Sequence, residues 1–182
     1  MVETLNSYLT FQLGDELFAA NVSKVIEILE VPKITKVPRS PDFMRGVINL
    51  RGSVLPVIDT RAKFGLPQTE DTVNTCIIVL SVELEGEAIT IGAISDAVQE
   101  VLEIDETQVQ AAPSIGSKYK SEFIEGMVKR DEQFIMILNL DKVFSSNEAS
   151  ILQEIVNKAH EAQEAQEAKA QAKSKTNTPK EN

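Results

Sequence analysis

The chain has 182 residues, 42% of them hydrophobic, which allows one ordinary domain or two fused small domains with a sizeable core. The formal net charge is −10, and the chain has no continuous basic stripe with interleaved aromatic residues, so a nucleic-acid partner is not expected. A single cysteine excludes an intrachain disulfide framework. The N-terminus has no apolar signal region and no apolar run approaches the roughly 18 residues of a membrane span, so we expect a cytoplasmic protein.

The first half of the chain predicts strands joined by short turns. The predicted strands cover residues 8–13, 17–22, 25–31, 47–50 and 54–58. Gly14 marks the first hairpin, and residues 40–42 (Ser-Pro-Asp) predict the start of a single-turn helix that Gly46 closes. Pro56 lacks a backbone donor, so we expect it at a sheet edge or a bulge.

The second half repeats the pattern of the first. Gly46 begins a segment that reaches Phe64, and Gly126 begins a similar segment that reaches Phe144 at the same spacing. The repeat predicts strands over residues 76–84, 88–94 and 98–102, a loop at Pro113, a helical turn over residues 121–125 and a closing hairpin. Two similar modules, each too small to bury much of its surface alone, are expected to pack side by side and leave a seam where a partner could dock.

Beyond Phe144 the composition changes. Residues 145–147 can cap a helix, and Ile151, Leu152, Ile155 and Val156 would form its apolar face. Residues 157–173 are predicted to form a solvated, helix-prone tail, and residues 174–182 are predicted to be disordered.

Charge is distributed unevenly between the halves. Residues 24–63 contain eight basic and four acidic side chains, whereas residues 64–147 contain fifteen acidic and five basic ones. The two halves would therefore attract different partners. Arg51, beside Gly52, is expected at a loop tip, either as an interface anchor or as a turn residue without a partner.

The residues that enzymes commonly use are not arranged for catalysis. His160, the one histidine of the chain, lies in the polar tail, which excludes histidine catalysis and a histidine-containing metal site in the folded body. Asp59 and Arg61 are expected to form a structural ion pair, and Cys76, in an apolar run, to be a buried inert thiol. No cofactor and no metal are expected.

Several segments closely resemble the CheW family, the coupling proteins of bacterial chemotaxis. They are residues 11–16, 25–28, 37–38, 41–43 and above all 46–61 (GVINLRGSVLPVIDTR), with residues 94–98 and 112–113 in the second half. The resemblance covers about residues 8–144 and leaves the C-terminal extension outside.

The resemblance implies a mainly β fold: two intertwined, SH3-like, five-stranded barrels packed side by side, with short helical turns and a C-terminal helix. The CheW-like domain would cover residues 6–147, with a first barrel over about 8–66, a second over about 73–145 and boundaries that can interleave. Residues 148–182 would be the C-terminal helix and disordered tail.

The resemblance also implies a non-enzymatic adaptor that joins the cytoplasmic tips of methyl-accepting chemotaxis proteins to the regulatory domain of the histidine kinase CheA. It implies recruitment to membrane-associated receptor arrays and self-association in array rings, without membrane insertion. Receptor binding is expected at Val25, Glu27, Gly46, Arg51, Val54 and Leu55. Kinase or ring binding is expected at Gln110, Pro113 and Ile115, although Gln110 and Ile115 differ from the Arg and Phe of some family members.

Two other functions remain open from the sequence. One is a CheW-like coupler of a pilus-type or other non-flagellar chemosensory pathway. The other is a small β-barrel hydrolase that uses carboxylates and water, for which the chain offers no acid pair in an identifiable apolar pocket.

Overall fold

The computed structural model describes residues 5–68, 70–111 and 123–175 of the chain. The strands within these ranges are β1 (Leu5–Leu13), β2 (Glu16–Asn21), β3 (Val25–Glu30), β4 (Met44–Leu50), β5 (Ser53–Asp59), β6 (Cys76–Leu84), β7 (Glu87–Ser95), β8 (Ala97–Asp105), β9 (Ile124–Arg130) and β10 (Gln133–Leu138). The α-helices are α1 (Thr60–Lys63) and α2 (Ser146–Lys175).

The strands form two five-stranded sheets that exchange hairpins. Sheet I has the order β8-β1-β2-β10-β9, and sheet II has the order β3-β6-β7-β5-β4. Each sheet therefore combines the first hairpin of one half of the chain with the other three strands of the other half. The exchange is sealed by two parallel pairings, β2 with β10 and β5 with β7. Residues 8–66 and 73–145 consequently each supply strands to both sheets.

Each sheet curls until its two ends approach one another. In sheet II, Thr35, which follows β3, bridges to Val47 of β4 at the opposite end of the strand order. In sheet I, Gln110, which follows β8, bridges to Met127 of β9 in the same way. The predicted mainly β fold with two five-stranded units and a C-terminal helix is confirmed, and the predicted barrels have the form of curled half-barrel sheets.

Strand alternation divides the buried residues among three apolar clusters. On β6, Ile77 and Val79 point into the concave face of sheet II, while Ile78, Leu80 and Val82 point into the seam between the sheets. Because both faces of β6 are buried, its apolar residues form an unbroken run. Sheet I has its own cluster, formed by Tyr8, Ala19, Leu102, Ile104, Val128, Ile135 and Ile137.

Aromatic pairs at the seam repeat the internal duplication. Phe64, which follows α1, stacks on Phe123 of the other half with ring centroids 4.9 Å apart. The equivalent residues, Phe144 and Phe43, form the second pair, with centroids 5.9 Å apart. Both pairs join one half of the chain to the other, so the seam depends on the exchange of strands.

The prediction of a single-turn helix starting at residues 40–42 is wrong, because the structure has only a hydrogen-bonded turn there. Ser40 does not cap a helix; its hydroxyl donates to the Val37 carbonyl at 2.8 Å. The Met44 amide donates to the Pro41 carbonyl at 2.9 Å, and β4 begins at Met44. Met44 already pairs with Ile58 of β5, so the chain enters the sheet directly after this one hydrogen-bonded turn and forms no helix.

The expectation of an edge at Pro56 holds locally, although β5 is an inner strand of sheet II. Pro56 lies in β5, between β7 and β4, opposite Val47. The Val47 amide and carbonyl both bond to Thr35, at 2.8 and 2.9 Å, so the Pro56 nitrogen faces away from β4. Pairing of β5 with β7 begins only at Val57, and the missing donor therefore interrupts neither ladder.

Two predicted segments are described only in part. Ser121 lies outside the described residues, and Ile124 and Glu125, at the end of the predicted turn, belong to β9. Ser174 and Lys175, predicted to be disordered, end α2, and residues 176–182 lie outside the described residues. Among the described helices, none combines the length and apolar character needed to cross a membrane.

Candidate functional site

The turn between β4 and β5 projects Arg51 into solvent. Arg51 and Gly52 both have positive φ angles, 51° and 85°, which is the pattern of a two-residue type I′ hairpin turn. The Asn49 side-chain oxygen accepts a hydrogen bond from the Gly52 amide at 2.9 Å and braces the turn. The side chain of Arg51 is 73% exposed, so the expectation of an arginine at a loop tip is confirmed.

Arg51 forms a bidentate ion pair with Glu27. Its Nη1 and Nη2 atoms donate to the two carboxylate oxygens of Glu27, on β3, at 3.0 and 2.6 Å. The hydrogen bond to Glu27, aided by the charge of the same carboxylate, raises the pKa of Arg51 above its ordinary value. Exposed ion pairs add little to stability, so the main effect of this one is to fix the direction of the guanidinium.

Sheet I has the same turn without the ion pair. Asp131 and Glu132, between β9 and β10, have positive φ angles of 47° and 66°. Asp131 occupies the position equivalent to Arg51 in the sequence repeat, and Glu100 on β8 is equivalent to Glu27. Two carboxylates cannot pair as Arg51 and Glu27 do, so the arginine site is a property of sheet II.

A groove of about 950 Å³ lies beside the Arg51 turn. Its walls are the segment after β3, the β4–β5 hairpin and one face of α2. Val54, one of the residues predicted for receptor binding, lines the groove. The other lining residues include Lys36, Val37, Pro38, Arg39, Asn49, Ile151, Ile155, Ala159, Ala162, Gln163 and Gln166.

The other residues predicted for receptor binding lie at or below this surface. Val25 is half-buried at the start of β3, where it packs against the seam core. Leu55 is 3% exposed and belongs to the core of sheet II, and Gly46 is buried in β4. Leu55 and Gly46 can therefore shape the surface from beneath, but they present almost no side chain to a partner.

Gly46 permits the close approach of the segment that crosses β4. Its φ angle is +148°, and a Cβ atom there would overlap the Thr35 carbonyl and the Ile34 side chain. Gly126 stands in the same relation to the crossing segment of sheet I, where a Cβ would overlap Val109 and approach the Gln110 carbonyl. The paired glycines of the sequence repeat therefore mark the two places where the curled sheets close.

The residues predicted for kinase or ring binding lie in or beyond the segment that follows β8. Gln110 is exposed and exchanges two backbone hydrogen bonds of 2.8 Å with Met127. Pro113 and Ile115 lie outside the described residues. Gln110 thus sits at one end of sheet I, in the position that Thr35 occupies in sheet II.

A buried arginine explains the predicted pair of Asp59 and Arg61. The Arg61 side chain is 1% exposed, and its nitrogens lie 3.3 Å from Asp59, 3.0 Å from Asp96 and 3.5 Å from Asp71. Asp96 also accepts a hydrogen bond of 2.6 Å from the Gly14 amide in the β1–β2 turn. The predicted ion pair is confirmed, and its surroundings compensate a buried charge and tie sheet I to sheet II.

The remaining candidate reactive groups have ordinary surroundings. Cys76, predicted to be buried, is only half-buried because it begins β6. Burial raises the pKa of its thiol, although a backbone hydrogen bond at Val98 opposes part of the rise. The raised pKa keeps the thiol protonated at neutral pH. His160 lies on exposed α2, 3.1 Å from Glu164, and the described residues hold no cluster of three potential metal ligands.

The sequence analysis missed one contact, on the far part of α2. Ala159, Ala162, Gln163 and Gln166 line the groove, and Gln163 Nε2 donates to the Gly52 carbonyl at 3.3 Å. These residues are spaced as neighbours on one helical face. Hydropathy does not reveal such a face, because Ala is only weakly apolar and Gln is polar. The spacing of these residues could have indicated the shared face.

Comparisons with known proteins agree with this architecture. A family model described as a CheW-like domain matches residues 7–148. The chemotaxis protein CheW of Rhizobium meliloti is 35% identical over 140 residues, which is 77% of this chain and 88% of that protein. CheW of Klebsiella aerogenes is 31% identical over 153 residues, covering 84% and 89% of the two chains. The crystal structure of the scaffolding protein TtCheW from Thermoanaerobacter tengcongensis superposes with a TM-score of 0.71 at 33% identity, covering 81% of this chain and 92% of that one.

Proposed function

Because the chain belongs to the CheW family of chemotaxis scaffold proteins, we propose that it couples methyl-accepting chemoreceptors to the histidine kinase CheA. The family is one of scaffolds and not of enzymes. The chain would act by holding the two partners in one complex, so that a shift in the receptor changes the population of active kinase. It would do so in the cytoplasm, at membrane-associated receptor arrays.

The observation that carries the proposal is the Arg51–Glu27 pair, which joins the β4–β5 turn to β3. Glu27 holds an exposed guanidinium in a fixed direction, next to a groove lined by Val54. An exposed arginine held in a fixed direction beside an open groove is typical of a protein-binding surface.

The proposed receptor site uses the predicted residues in two ways. Glu27, Arg51 and Val54 would contact the receptor tip, with Val25 at the margin of the seam. Gly46 and Leu55 would hold the backbone and the core beneath them, as their burial requires.

We propose the kinase and ring contacts at Gln110, at the end of sheet I, and at Pro113 and Ile115, which lie outside the described residues. Residues 24–63, which supply β3, β4 and β5 to sheet II, carry an excess of basic side chains, which favours a different partner at that sheet. Residues 6–147 would then form the coupling domain, with residues 148–182 as an addition to it.

Reconstitution tests the proposal. Autophosphorylation of CheA would be measured with receptor alone, with this chain alone and with both. We expect strong stimulation only in the mixture of all three, because coupling needs the receptor and the kinase on one scaffold. Equal kinase activity with and without the chain in that mixture would refute the proposed function.

A further inference from the structure

Helix α2 has an anchored part and a projecting part. At its start, Ser145 and Glu148 bond reciprocally, the Glu148 amide to the Ser145 hydroxyl at 3.2 Å and the Ser145 amide to the Glu148 carboxylate at 3.3 Å. Lys63 pairs with Glu148, and Leu152 is fully buried in the seam core. These contacts fix the first turns of α2 to the folded body.

The projecting part begins after Val156 and lies wholly beyond the CheW-like match, which ends at residue 148. It reaches past the β4–β5 turn, where Gln163 Nε2 donates to the Gly52 carbonyl. Ala159, Ala162 and Gln166 line the groove beside that turn. The helix therefore lies next to Arg51 and along the same groove that Val54 lines.

The contact of this part with the turn is weak by its chemistry. Besides Lys158, its groove-lining residues are Ala and Gln, which bury little apolar area, and most of the segment is exposed. A short helical segment also gains little stability from its own hydrogen bonds in water. Docking against the turn is thus easily reversed, while the buried part around Leu152 stays in place.

We propose that the projecting part of α2, residues 157–175, is a displaceable cover that competes with the receptor tip for the groove beside Arg51. This inference rests on the proposed function. α2 forms one wall of the groove, so a receptor helix, which is about 10 Å across with its side chains, would have to push this wall aside as it docked against Val54 and Arg51. The receptor would bind the uncovered population, and its apparent affinity would be reduced by the covered fraction.

The test compares two proline variants of the full chain. Ala159→Pro removes an amide donor and clashes with the preceding turn, so it should end the regular helix before Ala162, Gln163 and Gln166. Ala170→Pro, the matched control, interrupts α2 one turn beyond Gln166 and leaves the groove-lining residues in place. Gln163→Ala removes the side-chain bond to Gly52 without disturbing the backbone.

Two measurements separate the outcomes. Titration calorimetry with a soluble receptor-tip fragment should show affinity raised by about three- to ten-fold in Ala159→Pro, by a smaller factor in Gln163→Ala and not at all in Ala170→Pro. Amide NMR signals of Gly52 and Ser53 should shift in Ala159→Pro but not in Ala170→Pro, without any receptor present.

Each contrary result overturns a stated part of the inference. Unchanged Gly52 and Ser53 signals in Ala159→Pro would show that α2 does not cover the turn. Shifted signals with unchanged or weaker receptor affinity would overturn the competition while leaving the proposed function intact. A receptor fragment that binds none of the chains, wild type included, would instead refute the proposed function, and the competition with it.

Discussion

At the scale of single residues, different groups determine the backbone shape of the Arg51 turn and the side chain that it presents. Its shape comes from Gly52, from the Asn49 brace and from positive φ angles that an L residue at position 51 tolerates. The recognition that we propose for it would come from the guanidinium that Glu27 orients. The side chain of Arg51 can therefore be changed without rebuilding the hairpin.

Arg51→Asp should weaken binding of a receptor-tip fragment by about ten-fold or more, because a repulsive charge replaces an interface anchor. Asp-Gly is a preferred sequence for this type of turn, so the midpoint of thermal unfolding should change little. Calorimetric titration measures the first effect, and circular dichroism on heating measures the second.

The double variant Arg51→Asp with Glu27→Arg is the control for this prediction. It can restore an ion pair but places the guanidinium on β3. Recovery of binding would assign the role to the pair and not to the position of Arg51. Full binding by Arg51→Asp itself, with the fold intact, would remove Arg51 from the site.

Gly46→Ala should lower the free energy of unfolding by about 2 kcal/mol or more, since the new Cβ would overlap the Thr35 carbonyl at a positive φ. Gly126→Ala should cost a similar amount through the equivalent contacts. Gly14→Ala is the control: its φ is also positive, but open space surrounds it, so about 1 kcal/mol is expected. Urea unfolding compares the three, and equal small losses would show that the crossing segments yield freely.

At the scale of elements, α2 illustrates how a helix end is fixed by side chains. The sequence signal at residues 145–147 is confirmed, with Ser145 as the cap and Glu148 as its partner. The apolar face is confirmed at Leu152, which is fully buried, and more weakly at Ile155, which packs against the core. Capping hydrogen bonds and apolar burial therefore both hold the first turns of α2.

The anchoring of α2 should depend on pH through Glu148. Burial tends to raise the pKa of Glu148, but hydrogen bonds from Lys63 and Ser145 and the Lys63 charge outweigh it, so the pKa lies below the ordinary 4.5. A lowered pKa in the folded state means that the carboxylate stabilises the protein above pH 4.5 and that this contribution is lost as the pH falls through the lowered value.

Glu148→Gln should therefore be less stable than the wild type at pH 7, and the difference should close on acidification below about pH 4.5. Urea midpoints measured from pH 7 to pH 3 test this. Glu154→Gln, which removes a carboxylate from α2 at a site that is 65% exposed, is the control and should change the urea midpoint at pH 7 only slightly. A gap between Glu148→Gln and the wild type that persists in acid would exclude titration of Glu148 as its source.

At the scale of the whole molecule, the exchange of hairpins makes the two halves interdependent. The β1–β2 hairpin completes a sheet with β8, β9 and β10, and the β6–β7 hairpin completes the other with β3, β4 and β5. The two phenylalanine pairs and the Arg61 network cross the same seam. Neither half can bury its apolar strand faces without the other.

A cut in the connection before β6, around the fully exposed Val73, should leave a folded two-chain complex. Each fragment expressed separately should be unfolded, because it lacks strands for both sheets. Circular dichroism of the separate and mixed fragments tests this. A cooperative thermal transition in either fragment by itself would contradict the interdependence of the halves.

The local pattern of the chain was enough to predict most strands, the turn at Arg51, the cap of α2 and, through the resemblance, the family. These features depend on short-range rules: alternation, turn residues and capping side chains act within a few positions of one another. The resemblance also pointed to Glu27 and Arg51, which lie 24 positions apart in sequence and prove to be in contact. Where a local rule was applied beyond its range, at residues 40–42, pairing between strands decided otherwise.

The sequence by itself determined a duplicated, mainly β scaffold of the CheW family with a helical extension, because repetition, periodicity and a long family segment are all properties of neighbouring residues. Only the tertiary structure decided which half supplies each strand of a sheet, that Gly46 and Leu55 lie beneath the surface, and that Gln163 reaches Gly52. These depend on which distant segments meet when apolar strand faces are buried together. Residues 111 positions apart leave no mark of their contact in the local pattern.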